Sequence, residues 1–473
     1  MLLNVVTTNP GEVFELLGNL AIAIATVVIL YVPIIIYAII LIRKKKYIKQ
    51  SYICTYRKFS TIAVIAGLIS LSGCYISGKN YSISEGLFPI NVCDNMVTAV
   101  KRTIKTNNYT TTSKGFSYNA TATHPDSHKE IYVMVIGETG RADNWQLFGY
   151  NRPTNPTLSK QDGVIGFGKV LTESNTTHKS VPMLLSSITA MNFDSIYYHK
   201  SIITAFNEAG FHTSFFSNQK RNRSFIDYFG SEADNVEYLS DSGSNTFDAQ
   251  LVKRMNRLLA EDKFHKQFIV LHTYGSHFNY KERYPEKMKI FHPDNVVDAS
   301  ASYRNELINA YDNSIAYTDR LLSDIINSLQ KHTDANIAML YVSDHGEDIF
   351  DDSRNRFLHA SPIPTYYQLH VPLITWLSKS YQNNHPGIQD ALYFNSKKNV
   401  SSSSSVFHTM LQLAGINSAI FNRHLSLADT TYIEPERLYL NDRNKALPIG
   451  DSGMNQSDYE LLKTNKLYNI NHR

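Results

Sequence analysis

From Glu130 onward the sequence alternates short apolar runs with stretches of helical periodicity, and this alternation restricts the fold more than any other feature. The predicted strands are Ile131–Ile136, Thr213–Ser217, Phe268–His272, Ile337–Ser343 and Val371–Leu377. The predicted helices are Ser180–Ala190, Ile202–Ala209, Ala249–Ala260, Asn305–Gln330 and Val406–Ala414. The serines at 401–405 form a polar run before the last helix, where serine is a good N-cap. Strands that alternate with helices form a layered α/β domain, so we predict a doubly wound α/β/α sandwich over residues 130–473.

The first 78 residues differ from the rest, because they contain two long runs without charge. Leu20–Ile42 has 23 uncharged, mostly aliphatic residues, and Phe59–Gly78 has 20 uncharged residues. Each run is long enough to cross the ~30 Å hydrocarbon core of a bilayer, so we predict two transmembrane helices. The segment between the runs carries seven basic residues and no acid, which predicts a cytoplasmic loop with both flanks outside. A signal peptide is the competing interpretation, but only Glu12 and Glu15 carry charge before the first run.

Residues 79–129 are rich in Ser, Thr and Asn and are interpreted as a linker. Within this linker Val92, Met96, Val100 and Ile104 recur at helical spacing, which predicts a short amphipathic helix. Such a helix packs either on the membrane or on the following domain, and we expect the domain.

The bulk composition is that of a globular protein, with 43% hydrophobic and 19% charged residues. The net charge is only +4, and no basic stretch in the C-terminal part is dense enough to indicate a nucleic-acid partner. The chain has three cysteines, of which only Cys93 follows the predicted spans. The predicted non-cytoplasmic part therefore has no internal disulfide.

Two of the predicted strands are followed by residues of types that commonly bind metal ions. Glu138 follows the first strand after a single glycine, and Asp344 and His345 directly follow the strand at 337–343. Proteins with an open α/β sheet bind their substrates and cofactors at the carboxyl ends of the strands. Carboxylate oxygens together with an imidazole nitrogen are a set of donor atoms typical of zinc sites. Each segment also has a simpler interpretation when it is taken alone. Glu138 could be an acid at the start of a helix, where the helix dipole stabilises negative charge, and DHGE could be a capped turn.

Three protein ligands leave a fourth position on zinc for a reacting group. Thr176 and Thr177 precede the predicted helix at 180, where free backbone N–H groups stabilise an anion. A metal lowers the pKa of a hydroxyl enough to make it a nucleophile, although either threonine could equally be an N-cap. His277 comes just after the strand that ends at His272, and His359 follows the acidic loop after DHGED. Either histidine suits binding of a phosphate oxygen, binding of a second metal ion or proton donation to a leaving alcohol. His178, His212 and His292 are not assigned to the site.

Six segments carry a resemblance to a known family. They are GETGRADNWQLFGYNRPTNPTL, SNTTHKSVPMLLSS, GSHFNYKERYP, AYDNSIAYTD, SDHGED and LHASP. In this order and spacing they resemble the phosphoethanolamine transferases of Gram-negative inner membranes, a branch of the alkaline phosphatase and sulfatase superfamily. That family includes the lipid A modifying enzymes behind polymyxin resistance.

The resemblance implies roles for individual residues. Glu138, Asp344 and His345 match the primary zinc ligands, and Thr177 in T-x-x-S-V-P matches the nucleophilic threonine, which also contacts the metal. His277 and His359 match histidines that line the substrate side or hold a second zinc ion. Asn218 and Gln219 match a shorter motif that contacts the ethanolamine phosphate.

The resemblance also implies a reaction. Phosphatidylethanolamine donates phosphoethanolamine to Thr177, and lipid A or another lipopolysaccharide or glycan acceptor receives it. The implied location is the inner membrane, with a monomeric catalytic domain in the periplasm.

Three alternatives remain at this point. One is a hydrolase of the same superfamily, such as a phosphodiesterase or sulfatase, although a sulfatase needs a modified Cys or Ser and no Cys follows Cys93. Another is a glycerol phosphate transferase, and the last is an inactive scaffold, which would hold no stoichiometric zinc.

The chain departs from the family pattern in two respects. Family members typically have five spans, whereas two are predicted here, and TTNPGEVFELLGN resembles the outward segment before the fourth span. We therefore expect three upstream helices to be missing from this chain. The several disulfides that are usual in the exported domain are absent as well.

Overall fold

The structure is a computed structural model that describes residues 21–44, 50–77, 90–125, 127–242, 247–296 and 298–468 of the chain. The chain divides into two compact units, Met1–Asn107 and Asn108–Arg473. The boundary falls inside the segment predicted as a linker. Residues after the boundary belong to the second unit's fold, because Tyr109 and Tyr118 are buried and their hydroxyls donate to Glu232 Oε1 (2.8 Å) and the Lys200 carbonyl (2.6 Å).

The described part of the first unit consists of three helices. They are α1 (Ala21–Arg43), α2 (Gln50–Ser77) and α3 (Ile90–Asn107). The helices α1 and α2 cover the two predicted spans except Leu20 and Gly78, which lie outside the described residues. Over the residues that the structure describes, no helix meets the length and apolarity required to cross a membrane. The two spans therefore stay predictions from the sequence.

Helix α3 coincides with the predicted amphipathic helix, but none of its described residues is buried. The packing of its apolar stripe on the following domain stays a prediction. Met96 and Val100, in the middle of that stripe, are 54% and 58% exposed.

The second unit is built on a seven-stranded sheet with the order β2-β7-β6-β1-β5-β3-β4. Its strands are β1 (Lys129–Gly137), β2 (Val164–Phe167), β3 (His212–Ser217), β4 (Asn235–Tyr238), β5 (Lys266–His272), β6 (Ala335–Ser343) and β7 (Leu373–Leu377). The five strands from β6 to β4 in this order run parallel, whereas β7 is antiparallel to both of its neighbours. The sheet is therefore mixed, and β1 lies at its centre.

Helices and short strands surround this sheet. The helices are α4 (Tyr109–Thr112), α5 (Thr177–Leu184), α6 (Ile202–Glu208), α7 (Phe225–Gly230), α8 (Ala249–Ala260), α9 (Arg304–Leu329), α10 (Tyr366–Leu369), α11 (Lys379–Asn384), α12 (Ile388–Asn395), α13 (Ser402–Leu413) and α14 (Gln456–Thr464). The short strand pairs are Thr121–Ala122 with Ile416–Asn417, Val170–Leu171 with Val400–Ser401, Asp348–Ile349 with Phe357–Leu358, and Leu438–Leu440 with Ala446–Pro448.

The two faces of the sheet pack into separate cores. Tyr132, Met134 and Ile136 of β1 belong to the core that contains α5, α6 and α13. Their neighbours Ile131, Val133 and Val135 belong to the core that contains α8 and α9. Successive side chains of a strand point to opposite faces, so a strand covered on both sides is apolar throughout. The predicted α/β/α sandwich is confirmed, with the antiparallel β7 as an addition.

All five predicted strands are present, but the edge strands β2 and β4 were missed and three helix boundaries were predicted wrongly, the first of which is the start of α5 at Thr177 rather than Ser180. Helix α5 ends at Leu184 rather than Ala190, and the Ser186 hydroxyl bonds back to the Pro182 carbonyl (2.7 Å) just beyond that end. Helix α13 begins at Ser402, so the serine run forms its first turn instead of preceding it.

The serine run surrounds a buried carboxylate, Glu173, which is 1% exposed. The hydroxyls of Ser401 and Ser404 donate to its Oε1 at 2.7 and 2.9 Å, and the Ala190 N–H donates to its Oε2 at 2.6 Å. Glu173 thereby joins α13 to the segment after α5.

We expect Glu173→Ala to lower the melting temperature by several degrees, which corresponds to about 2–3 kcal/mol. The truncation leaves three buried donors without an acceptor. Thermal unfolding of the variant measures the effect, with Glu436→Ala as the control because Glu436 is exposed. Equal melting temperatures for the two variants would contradict this role of Glu173.

Candidate metal centre

The candidate site lies where the two central strands β1 and β6 end. These strands are parallel, and Gly137 is paired with Ser343. Glu138 therefore leaves β1 beside Asp344 and His345, which leave β6. The sheet register brings together residues that are far apart in the sequence, as the strand-end prediction required.

Glu138, Asp344 and His345 form one compact, buried group. One ligand atom from each lies within 4.8 Å of the others. His345 Nε2 is 3.4 Å from Glu138 Oε1 and 3.3 Å from Asp344 Oδ2. His345 Nδ1 lies 2.8 Å from the Gly346 carbonyl, and donation of its proton there leaves the Nε2 lone pair facing the two carboxylates. Two carboxylate oxygens and one imidazole nitrogen that converge on one point suit a zinc ion.

The electrostatics of the group also fit a bound cation. Burial and the neighbouring Glu138 carboxylate raise the pKa of Asp344 well above its usual range. Burial acts in the same direction on Glu138, but His345, His277 and His359 outweigh it and lower the pKa of Glu138 to about 2. Two buried carboxylates that repel each other are stabilised when a divalent cation lies between them. The residues present therefore fit the metal that the sequence predicted.

The backbone around Glu138 adopts unusual conformations. Thr139 has φ of 58°, a left-handed value that is rare for a β-branched residue. In this conformation its N–H donates to Asp344 Oδ1 (3.1 Å) and its hydroxyl to Glu138 Oε1 (2.8 Å). Gly275 approaches so closely that a Cβ there would lie 2.5 Å from the Glu138 carbonyl oxygen. The surrounding structure thus fixes the position of Glu138.

Thr177 is the first residue of α5, and its side chain points into this group. Its Oγ1 lies 3.1 Å from Glu138 Oε1 and 3.0 Å from His345 Nε2. Thr176 occupies the N-cap position but makes no side-chain cap, and its hydroxyl lies instead 3.1 Å from that of Ser174. Neither threonine side chain caps the helix. Of the two hydroxyls, that of Thr177 is the one that lies against Glu138 and His345.

His277 and His359 also lie near the group. The His359 ring is 4.2 Å from the His345 ring and 6.1 Å from the His277 ring, measured between centroids. His359 Nδ1 is 3.0 Å from Glu347 Oε2, and the other oxygen of Glu347 accepts a hydrogen bond from the Tyr280 hydroxyl. Burial raises the pKa of Glu347 to about 7. The structure thus brings together the three candidate zinc ligands, Thr177 and the two histidines that the sequence assigned to the site.

Asn218, which was predicted to contact the ethanolamine phosphate, directly follows the end of β3. Asn218 is fully buried, and its side-chain amide donates to Asp248 Oδ1 (2.7 Å). The carboxylate of Asp248 also accepts the N–H groups of Tyr274 (2.8 Å) and Gly275 (2.9 Å). Asn218 is therefore linked through Asp248 to the residues that follow β5, and its contact with the ethanolamine phosphate stays a prediction.

Gln219 contacts the site through Glu138, one of the three candidate metal ligands. Its Nε2 donates to Glu138 Oε2 and to the Thr273 carbonyl, both at 2.9 Å. Partners of this kind orient a ligand, and their loss typically weakens metal binding or activity by about 10–100-fold.

We expect Gln219→Ala to weaken zinc binding by roughly tenfold or more, because Glu138 loses the donor that orients its second oxygen. Competition with a chromophoric chelator measures the affinity. Lys220→Ala is the matched control, since Lys220 is the next residue and is exposed. Equal zinc affinities for both variants would show that Gln219 does not orient Glu138.

Sequence reasoning missed several residues that hold the site in place. They are Thr139, Ser180, Asp248 and Glu347. Glu347 stood in the DHGED segment and Thr139 in the GET segment, so their positions gave a usable signal. Ser180, whose hydroxyl is 3.4 Å from Asp344 Oδ2, stood in the T-x-x-S-V-P motif, whereas Asp248 gave no local signal.

Residues 130–416 match the sulfatase family. This chain belongs to the sulfatase family. The match begins in β1 and includes every residue assigned to the site above.

Among curated members, the phosphoethanolamine transferase EptA of Salmonella typhimurium is 31% identical over 304 residues, which are 62% of this chain and 54% of that protein. The Kdo(2)-lipid A phosphoethanolamine 7''-transferase of Escherichia coli is 29% identical over 288 residues, or 59% of this chain and 49% of that protein. The chain thus spans about half the length of the curated relatives it matches.

Two solved structures share the fold. The integral membrane protein EptA of Neisseria meningitidis superposes with a TM-score of 0.67 at 22% identity, over 91% of this chain and 80% of that one. The C-terminal periplasmic domain of EptC from E. coli, crystallised in complex with zinc, superposes with a TM-score of 0.62 at 23% identity, over 70% and 96%.

Proposed function

We propose that this chain is a zinc-dependent phosphoethanolamine transferase that works through a covalent threonine intermediate. The observation that carries the proposal is the position of Thr177, whose Oγ1 lies within 3.1 Å of two of the three residues suited to bind zinc. A hydrolase that activates water does not need a side-chain hydroxyl at that place. The similarity to curated phosphoethanolamine transferases supports the same choice.

Glu138, Asp344 and His345 would hold the zinc ion. A bound zinc ion lowers the pKa of a neighbouring hydroxyl and offsets negative charge on a phosphoryl oxygen. Thr177 lies at the start of α5, whose free backbone N–H groups favour a phosphate group beside it. In the first half-reaction, Thr177 Oγ attacks the phosphorus of phosphatidylethanolamine. A new O–P bond forms, the bond from phosphorus to the diacylglycerol oxygen breaks, and the Thr177 proton leaves to a base.

His359 and His277 are the candidates for proton transfer to the leaving diacylglycerol oxygen. Both rings are held through Nδ1, that of His359 by Glu347 Oε2 (3.0 Å) and that of His277 by the Phe278 carbonyl (2.7 Å), which leaves each Nε2 for the substrate. In the second half-reaction, a hydroxyl or phosphate oxygen of the acceptor attacks the phosphorus of this phosphoethanolamine diester. A new O–P bond to the acceptor forms, the bond from phosphorus to Thr177 Oγ breaks, and Thr177 Oγ regains a proton.

The acceptor that we propose is lipid A or another lipopolysaccharide or glycan, in line with the names of the relatives. Donor and acceptor of this kind are both membrane lipids. We therefore place the chain in the bacterial inner membrane, with residues 130–473 in the periplasm and with α1 and α2 as its anchors. Confinement of enzyme and lipids to one membrane raises their effective concentration.

The experiment that tests this proposal is intact-mass analysis of the full chain in phosphatidylethanolamine vesicles with zinc. We expect a mass increase of one phosphoethanolamine group, located at Thr177 by peptide mapping, and release of diacylglycerol. Release of phosphoethanolamine to water without any labelled protein would instead indicate a hydrolase. An unmodified protein with stoichiometric zinc and no product would overturn the choice of donor.

A further inference from the structure

Helix α3 has large apolar side chains in solvent. Six of them are between 40% and 58% exposed, and they are Ile90, Val92, Met96, Val97, Val100 and Ile104. No residue of the helix is buried. Single exposed apolar residues are common on proteins, but six on one 18-residue helix form a patch that requires a partner.

The apolar side chains lie on one side of α3. At 100° per residue, Val92, Met96 and Val100 follow each other at intervals of four, and Val97 and Ile104 lie seven apart beside them. Together they occupy slightly less than half of the helix circumference. The free cysteine Cys93, which is exposed, lies in the middle of the same arc.

The rest of the circumference is mostly polar and carries a net charge of +2, with Asp94 placed between Lys101 and Lys105 on the helical wheel. Lys101, Arg102 and Lys105 carry three positive charges, and Asp94 is the only acid in the helix. Lys101 and Lys105 border the apolar arc, and Arg102 lies opposite it. A short helix with a wide apolar arc, basic residues at its border and low overall hydrophobicity is typical of helices that lie in a membrane surface.

We propose that α3 lies flat in the surface of an anionic phospholipid bilayer. Its apolar arc reaches the boundary between head groups and acyl chains, while the ammonium and guanidinium groups stay at the level of the lipid phosphates. The excess of basic over acidic residues favours this occupant over a protein surface, which would have to supply an acidic rim around an apolar groove. The inference does not depend on the transferase activity.

The test uses the full chain in vesicles with a fluorescent probe on Cys93. Cys54 and Cys74 are replaced by Ser, and Cys93 is labelled with a nitrobenzoxadiazole group, whose emission reports water and whose quenching by lipid-bound nitroxides reports depth. The vesicles contain phosphatidylethanolamine and phosphatidylcholine, with or without phosphatidylglycerol. We expect blue-shifted emission that nitroxides near the head groups quench more strongly than nitroxides at the bilayer centre.

Asn95→Cys in a Cys93→Ser background is the matched control, because Asn95 is exposed on the opposite side of the same helix. Its probe should report water and little quenching. Equal quenching at both positions would overturn the flat orientation. A water-like spectrum at Cys93, or a dry probe that lipid nitroxides do not quench, would overturn the lipid contact, and the latter would indicate a protein partner.

The charge argument has its own test. Lys101→Gln together with Lys105→Gln removes the basic border but keeps the apolar arc. We expect this variant to lose the additional quenching that phosphatidylglycerol produces in the parent protein, and high salt should have the same effect on the parent. Quenching at Cys93 that never depends on phosphatidylglycerol, in parent or variant, would contradict the anionic surface.

Discussion

Thr177→Ala is expected to lower the rate of phosphoethanolamine transfer by on the order of 10⁴-fold or more, the size of effect seen when a nucleophile is removed from other covalent enzymes. The Thr177 hydroxyl lies 3.1 Å from Glu138 Oε1 and 3.0 Å from His345 Nε2, so it points at the place where the metal would lie. Initial rates with phosphatidylethanolamine and a lipid A acceptor measure the loss.

The neighbouring threonine provides the control. Thr176→Ala removes a buried hydroxyl one residue earlier, which is near Ser174 and does not contact the three metal-binding candidates. We expect it to retain most of the activity, and Thr177→Ser to retain a part because it keeps a hydroxyl. Full transfer by Thr177→Ala, with zinc bound and the protein folded, would disprove the covalent intermediate.

Removal of the metal is expected to destabilise the folded protein. An ion present at about 100 times its dissociation constant stabilises the folded state by about 2.7 kcal/mol. Chelation should therefore lower the melting temperature by several degrees, and zinc should restore it. Elemental analysis before chelation should give one zinc ion for each chain, or two if His277 and His359 hold a second.

Asp344→Asn separates the metal effect from general damage. The asparagine Oδ1 can still accept the N–H groups of Thr139 and His345, but the negative charge beside Glu138 is gone. We expect this variant to bind zinc weakly and to melt at the same temperature with and without chelator. Without metal it should be at least as stable as the parent, because the repulsion between two buried carboxylates is removed. If the melting temperature of the parent protein were the same with and without chelator, that result would argue against a metal centre.

The central strands could be predicted because burial on both faces makes them apolar throughout. The edge strands β2 and β4 lack that signal, since they have one neighbour each and contain Gly166 and Glu237. Gly166 is explained only by the fold, because a Cβ there would lie 2.9 Å from the ring of Phe148. Short strands of mixed polarity are therefore visible only once their neighbours are known.

The same distinction applies to the site. Glu138, Asp344 and His345 were found because residues at the carboxyl ends of parallel strands share one edge of the sheet. Thr177 was chosen over Thr176 through the family resemblance, and the contacts of its side chain are consistent with that choice. The supporting residues Gln219 and Asp248 depend on contacts between distant segments, which no local pattern encodes. The contacts of Asn218 could not be predicted for the same reason, because its neighbour Gln219 donates to Glu138 while its own side chain donates to Asp248.

The pairing of β1 with β6 has a consequence for the order of biosynthesis. Thr139 and Asp344, which are joined by a hydrogen bond at the site, are separated by 205 positions in the sequence. A ribosome therefore has to synthesise more than two thirds of the chain before Asp344 and His345, the second and third candidate ligands, exist. If Glu138, Asp344 and His345 hold a zinc ion together, that ion can bind only after residue 345 has been made, and a chain that ends before residue 344 would lack two of the three.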